Sequence, residues 1–190
     1  VGFDDEFVDL MEDCDRELAA KLRGGITPAF GSTKLPPGFM PLPQGKKVPS
    51  VLQSQAAEIF AFDALVQNSD RRPENPNCLL GGDSLAIFDH ELCFLTEGII
   101  GWEPPWVVGA LNTMRNRHLF YRELAGKPND LSRFYTAWQN ISDERLLEYA
   151  GALPQEWVYN NDTATKILDY VTEVRDNIDP SILEIERVLS

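Results

Sequence analysis

The sequence predicts an α+β fold, predominantly helical, with a small β-hairpin. Three observations lead there. Most of the chain beyond residue 110 carries apolar residues at helical spacing. Two short apolar runs, 78–80 and 85–88, flank a Gly81-Gly82-Asp83-Ser84 turn, which is a hairpin pattern. The chain has 190 residues, 43% hydrophobic and 25% charged, enough to bury the core of one domain or one large lobe.

The elements follow in order. Phe3, Phe7, Val8, Leu10, Met11, Leu18 and Leu22 repeat at helical spacing, with Asp4 or Asp5 placed to cap the start and Gly24-Gly25 the end. From Ile26 to Pro49 six prolines forbid a helix, so this stretch reads as an extended hinge or covering segment. Phe30, Leu35, Phe39, Met40 and Leu42 give it apolar groups to bury. Residues 51–67 read as a helix that runs into a polar, Pro-containing loop and then the hairpin. Residues 92–108 are irregular, broken by Gly98, Gly101, Pro104 and Pro105. Further helices are predicted over 111–125, 131–139, 143–150 after a Ser142 cap, 163–176 after Asp162, and 181–189. Internal repeats and low-complexity tracts are absent.

Chemistry concentrates in the loop Asn68-Ser-Asp70-Arg71-Arg72-Pro-Glu-Asn75-Pro-Asn77 and in Ile87-Phe-Asp89-His90-Glu91 after the hairpin. A carboxylate, an amide five residues on and a second carboxylate suit phosphoryl transfer. One carboxylate takes the nucleophile's proton, and the amide oxygen and the other carboxylate hold magnesium against nucleotide phosphates. The same residue types are ordinary turn formers. The ordered context of helix, loop, hairpin and Asp favours the chemical reading.

These residues, with Phe60-Ala-Phe-Asp-Ala-Leu-Val-Gln leading into them, resemble the catalytic segment of HipA-like kinases and, more distantly, that of phosphatidylinositol kinases. A looser likeness, including Ala29-Phe-Gly-Ser-Thr-Lys-Leu35, extends over about half the chain. The resemblance implies a lobe similar to the C-terminal lobe of a protein-kinase-like fold over 50–190, with 1–49 a remnant of the N-terminal lobe and hinge. It implies Asp70 as the catalytic residue, Asn75 and Asp89 as magnesium ligands, and Asn77 as an alternative to Asn75. ATP and Mg2+ are then the expected cofactors. The acceptor is a hydroxyl, with protein Ser/Thr the leading class and a small molecule the other. A phosphoinositide kinase and a non-catalytic interaction module that keeps the fold are the competing readings.

Asp63 shares a helical face with Leu52, Ala56, Ile59, Phe60 and Val66, so it is expected to be buried and bonded to the loop or to Arg71 or Arg72. His90 is expected to make a supporting hydrogen bond, Glu91 to be a support or a hairpin-end charge, and His118 to be structural. The Gly45-Lys46-Lys47 run is no phosphate loop, because the glycine spacing and the Ser/Thr are wrong. A Gly-x-Gly-x-x-Gly loop and a strand lysine are also missing, so a further N-terminal lobe or a partner protein is expected to complete the nucleotide site. The net charge of -13 argues against nucleic acid and anionic membrane as partners. No apolar run is long enough for a membrane span. Three cysteines without metal spacing read as free thiols of a reducing compartment, hence cytoplasmic.

Overall fold

The computed structural model describes residues 2–25, 28–43, 45–96, 98–158 and 162–190. Ile26, named above, lies outside the described residues. The fold is α+β and about half helical, with one small antiparallel sheet.

Two short helices open the chain, α1 (Asp5–Cys14) and α2 (Arg16–Gly24). A single helix was expected here, but Asp15 is extended at φ -152° and restarts the second helix by accepting from the Leu18 N–H at 3.0 Å. Asp4 caps α1 by accepting from the Phe7 N–H at 2.8 Å.

The proline-rich connection contributes one strand, β1 (Met40–Pro41), against the hairpin of β2 (Cys78–Gly81) and β3 (Ser84–Ile87). Met40 pairs with Leu80, and Leu80 with Leu85. The expected apolar face of this connection is realised mainly at Leu42, which is 4% exposed. Phe30 and Met40 stand in solvent instead, because two paired residues are too few to cover them.

The centre of the molecule is α3 (Gln53–Leu65), entered through a 3-10 turn at Ser50–Leu52. Ala56, Ala57, Ile59, Phe60, Ala61, Asp63, Ala64 and Leu65 are all buried, so α3 is enclosed around most of its circumference, leaving the line of Ser54, Glu58 and Phe62 partly open. Around it lie α5 (Ser132–Gln139), α8 (Thr163–Asp176) and α9 (Ile178–Leu189), and α6 (Asp143–Gly151) packs against α8. Val174, Ile178, Ile185, Val188 and Leu189 join its core. Ser142 caps α6 as expected, accepting from the Arg145 N–H.

The predicted helix over 111–125 is not continuous. It is a 3-10 turn, Ala110–Met114, then turns, then the four-residue α4 (Tyr121–Leu124). The backbone here bonds elsewhere. The Glu184 carboxylate accepts from the N–H groups of Gly109 (3.0 Å) and Leu111 (3.2 Å), and the Leu119 N–H donates to the Arg71 carbonyl at 2.9 Å. A short helix, α7 (Gln155–Val158), was not anticipated.

Candidate active site

The C-terminal end of α3 launches the loop. Gln67 adopts a left-handed φ of 59°, which ends the helix, and the Asn68 N–H returns to the Asp63 carbonyl at 2.8 Å. The Asn68 side chain is a local template: its Oδ1 accepts from the Asp70 N–H at 3.1 Å, and its Nδ2 donates to Asp63 at 2.9 Å. Arg72 and Asn75 then exchange both backbone hydrogen bonds, at 3.1 and 3.0 Å, around Pro73. The loop is thereby closed on itself before Asn77 feeds β2.

Four candidate residues converge. Asp70 Oδ2 accepts from Asn75 Nδ2 at 2.6 Å and from Asn77 Nδ2 at 3.3 Å. Asn77 Nδ2 also lies 3.4 Å from Asp89 Oδ2. Asn77 thus reaches both carboxylates, whereas Asn75 reaches Asp70 alone among its side-chain bonds. Arg72 binds the other Asp70 oxygen at 2.9 Å. Asp89 is exposed and pairs with no described cation.

Backbone strain marks two of these four residues. Asn77 (φ 42°), Asp89 (φ 58°) and Phe94 (φ 61°) are non-glycine residues in the left-handed region. Asn and Asp tolerate it, but a cluster of such residues in one short stretch is what functional sites hold in place.

Beneath the loop lies a buried polar cluster. Asp63 and Arg71 are 0% and 1% exposed. Arg71 Nε donates to Asp63 Oδ2 at 2.6 Å and its Nη2 to Oδ1 at 3.2 Å. His118 Nε2 meets Asp63 Oδ2 at 2.9 Å, while its Nδ1 accepts from the Phe120 N–H at 3.2 Å. These partners fix a neutral imidazole with the proton on Nε2. Burial pushes His118 below its usual pKa, against the pull of Asp63. Burial would raise Asp63, but hydrogen bonds from His118 and Arg71 hold it below the ordinary carboxylate range. Arg71 Nη2 stands 3.3 Å from His90 Nε2. A guanidinium only donates, so His90 accepts there and is neutral. Burial, then Arg71, lower its pKa.

Asp63 is therefore buried and bonded, as its place on the apolar face predicts, and of the two arginines considered Arg71 is its partner. Arg72 turns to Asp70 instead. Glu91 is exposed. Burial pushes the thiols of Cys78 and Cys93 up to about 11, which leaves them as inert core groups. Sequence reasoning passed over Asn68, although Asn-x-Asp is an Asx-turn signal. His118 offered no signal, since its partner lies 55 residues away.

The donor set suits magnesium. Asp70 and Asp89 supply carboxylate oxygens, and the amide oxygens of Asn75 and Asn77 accept no hydrogen bond from a described residue. Among the described residues no three His, Cys, Asp or Glu side chains group as a metal site. This is compatible with an ion that takes few protein ligands and keeps several waters. No described helix is long and apolar enough to cross a membrane.

No curated protein and no solved structure matches the chain. A family model described as HipA-like kinase matches residues 6–180. That span holds the loop, the hairpin, Asp89 and the buried cluster beneath them, and the chain belongs to the HipA-like kinase family.

Proposed function

We propose that the chain carries the catalytic loop of an ATP-dependent kinase that phosphorylates protein Ser or Thr hydroxyls. The observation that carries this reading is the position of Asn77, whose one amide nitrogen is within reach of both Asp70 and Asp89. Asp70 acts as proton acceptor for the attacking hydroxyl. As that oxygen bonds to the γ-phosphorus, the bond from phosphorus to the β,γ-bridging oxygen breaks and ADP leaves. Asp89 and an amide oxygen, that of Asn77 ahead of Asn75 once the amide turns its Oδ1 in place of Nδ2 toward Asp89, would hold Mg2+, which neutralises charge on the nucleotide phosphates. The choice of Asn77 revises the first expectation of Asn75. The loop folds so that Asn75 braces Asp70 while Asn77, next to β2, faces Asp89 as well.

The lobe would be similar to a kinase C-terminal lobe, with 50–190 its body. The acidic balance of -13 favours a protein acceptor over an anionic lipid surface. The test is transfer of label from γ-labelled ATP, with Mg2+, to Ser/Thr proteins and, separately, to phosphoinositide vesicles. It uses the full natural protein that carries this chain. Asp70→Asn should cost about 10²–10⁴-fold in kcat, and Asp89→Asn should abolish the Mg2+ dependence. Labelled lipid and unlabelled protein would replace the acceptor. No label transfer by the unaltered protein, or transfer that both variants leave unchanged and that therefore arises outside this loop, would remove the kinase reading and leave a non-catalytic module.

A further inference from the structure

Arg71 is the most buried cation near the loop, and its guanidinium touches every segment from which the site is built. Nε and Nη2 hold Asp63 on α3. Nη1 donates to the Asn77 carbonyl at 2.5 Å and lies 3.5 Å from the Pro76 carbonyl and 3.4 Å from the Phe88 carbonyl. Nη2 also reaches the ring of His90. These contacts fall on Asn77 itself, on the residue before Asp89 and on the residue after it. One rigid, planar group therefore spans the gap between the two strands' ends where the ligands sit.

Arg71 is itself held. The Asp63 carboxylate takes two hydrogen bonds from Arg71, one from Asn68 and one from His118. His118 is anchored by the Phe120 N–H, and the neighbouring Leu119 N–H bonds to the Arg71 carbonyl. The chain segment around 118–120 thus braces the loop from behind.

We propose that Arg71 is a positioning residue for the phosphotransfer site: it sets the separation of Asn77 and Asp89, and His118, acting through Asp63, keeps it in register. The proposal rests on the kinase reading given above. A lysine in place of Arg71 would keep the charge but could not make the fork that meets Asp63, Asn77 and His90 together.

The test compares Arg71→Lys, His118→Ala and His118→Gln, the last keeping an N–H donor for Asp63. Native-state hydrogen exchange is read at the hydrogen-bonded amides of Asn75 and Phe88, one in each segment, with the core of α9 as reference. Mn2+·ATP affinity and the kcat/KM split are measured on the same proteins. Arg71→Lys and His118→Ala should speed exchange about tenfold or more at both segments together while α9 stays unchanged. They should weaken Mn2+·ATP binding by about 10–100-fold and lower kcat more than they raise the acceptor KM. His118→Gln should recover most of the loss. If Arg71→Lys does not fold, the His118 pair makes the same comparison. Exchange that rises equally in α9, or wild-type exchange and affinity at both segments, would overturn the proposal. Asp70→Asn and Asp89→Asn run in parallel. If they bind and turn over like wild type, the kinase reading fails. If they are impaired while the Arg71 and His118 variants are not, only the positioning role fails.

Discussion

Asp63 shows how a single carboxylate can be both costly and necessary. A buried ion pair is weak evidence for stability, because desolvating two charges offsets much of their attraction. Breaking one is different, since the remaining charge is stranded. Asp63→Ala leaves the Arg71 guanidinium buried with one carboxylate fewer, and should destabilise the fold by about 3–5 kcal/mol in urea titrations. The Arg133–Glu58 pair is the internal control. Arg133 is 81% exposed, so Arg133→Ala should leave the unfolding midpoint where it is. An Asp63→Ala protein with an unchanged midpoint would show that the cluster is hydrated and not buried. The burial of Asp63 was legible, because its spacing from Ile59, Phe60 and Val66 puts it on an apolar face. Its bond to His118 was not, because no local pattern encodes a contact between a helix and a distant turn.

At the level of elements, what the sequence made visible was what is settled locally. Asp4 and Ser142 act as the caps they look like, and the Gly81–Ser84 turn joins the strands that flank it. Where tertiary bonds compete, local reading failed. The segment 111–125 has helical spacing, yet Glu184 captures the Leu111 N–H, with that of Gly109 just before it, and the Arg71 carbonyl takes the Leu119 N–H. Strand β1 escaped notice because two residues, one a proline, carry no periodicity. It is nonetheless closely fitted. A Cβ added at Gly81 would lie 2.7 Å from the Phe39 ring, so the ring covers the glycine. Gly81→Ala should force Phe39 off the sheet and cost about 1–3 kcal/mol. It should also raise hydrogen exchange at Leu42, whose N–H donates to the Cys78 carbonyl. Unaltered stability would mean that Phe39 moves freely and β1 is only loosely docked.

For the whole molecule, the α+β class was readable, and so was the nearness of Asp70, Asn75, Asn77 and Asp89, because the loop and the hairpin are contiguous in sequence. The proposed preference for Asn77 over Asn75 was not, since the two are alike in type and only the closed Arg72–Asn75 turn separates their directions. The buried cluster also predicts how the fold responds to acid. His118 and His90 have folded pKa values below the usual 6.5, so below that pH the unfolded chain binds more protons than the native one. Stability should therefore fall as pH drops through about 6.5. A second loss should begin as pH approaches about 4, where Asp63 and Glu184, both held below their ordinary values, protonate first in the unfolded chain. Urea midpoints against pH should show both stages, and His118→Gln should flatten the first.

The central proposal is that Asn77 and Asp89 hold the metal of a bound nucleotide beside Asp70. It is tested most directly by paramagnetic broadening in NMR spectra of the isotope-labelled chain titrated with Mn2+ and a non-hydrolysable ATP analogue. The amide signals of Asp70, Asn75, Asn77, Asp89 and His90 should broaden first, and Asp89→Asn should remove the effect at the same Mn2+ concentration. Broadening centred elsewhere, or none at these five residues when nucleotide is bound, would contradict it.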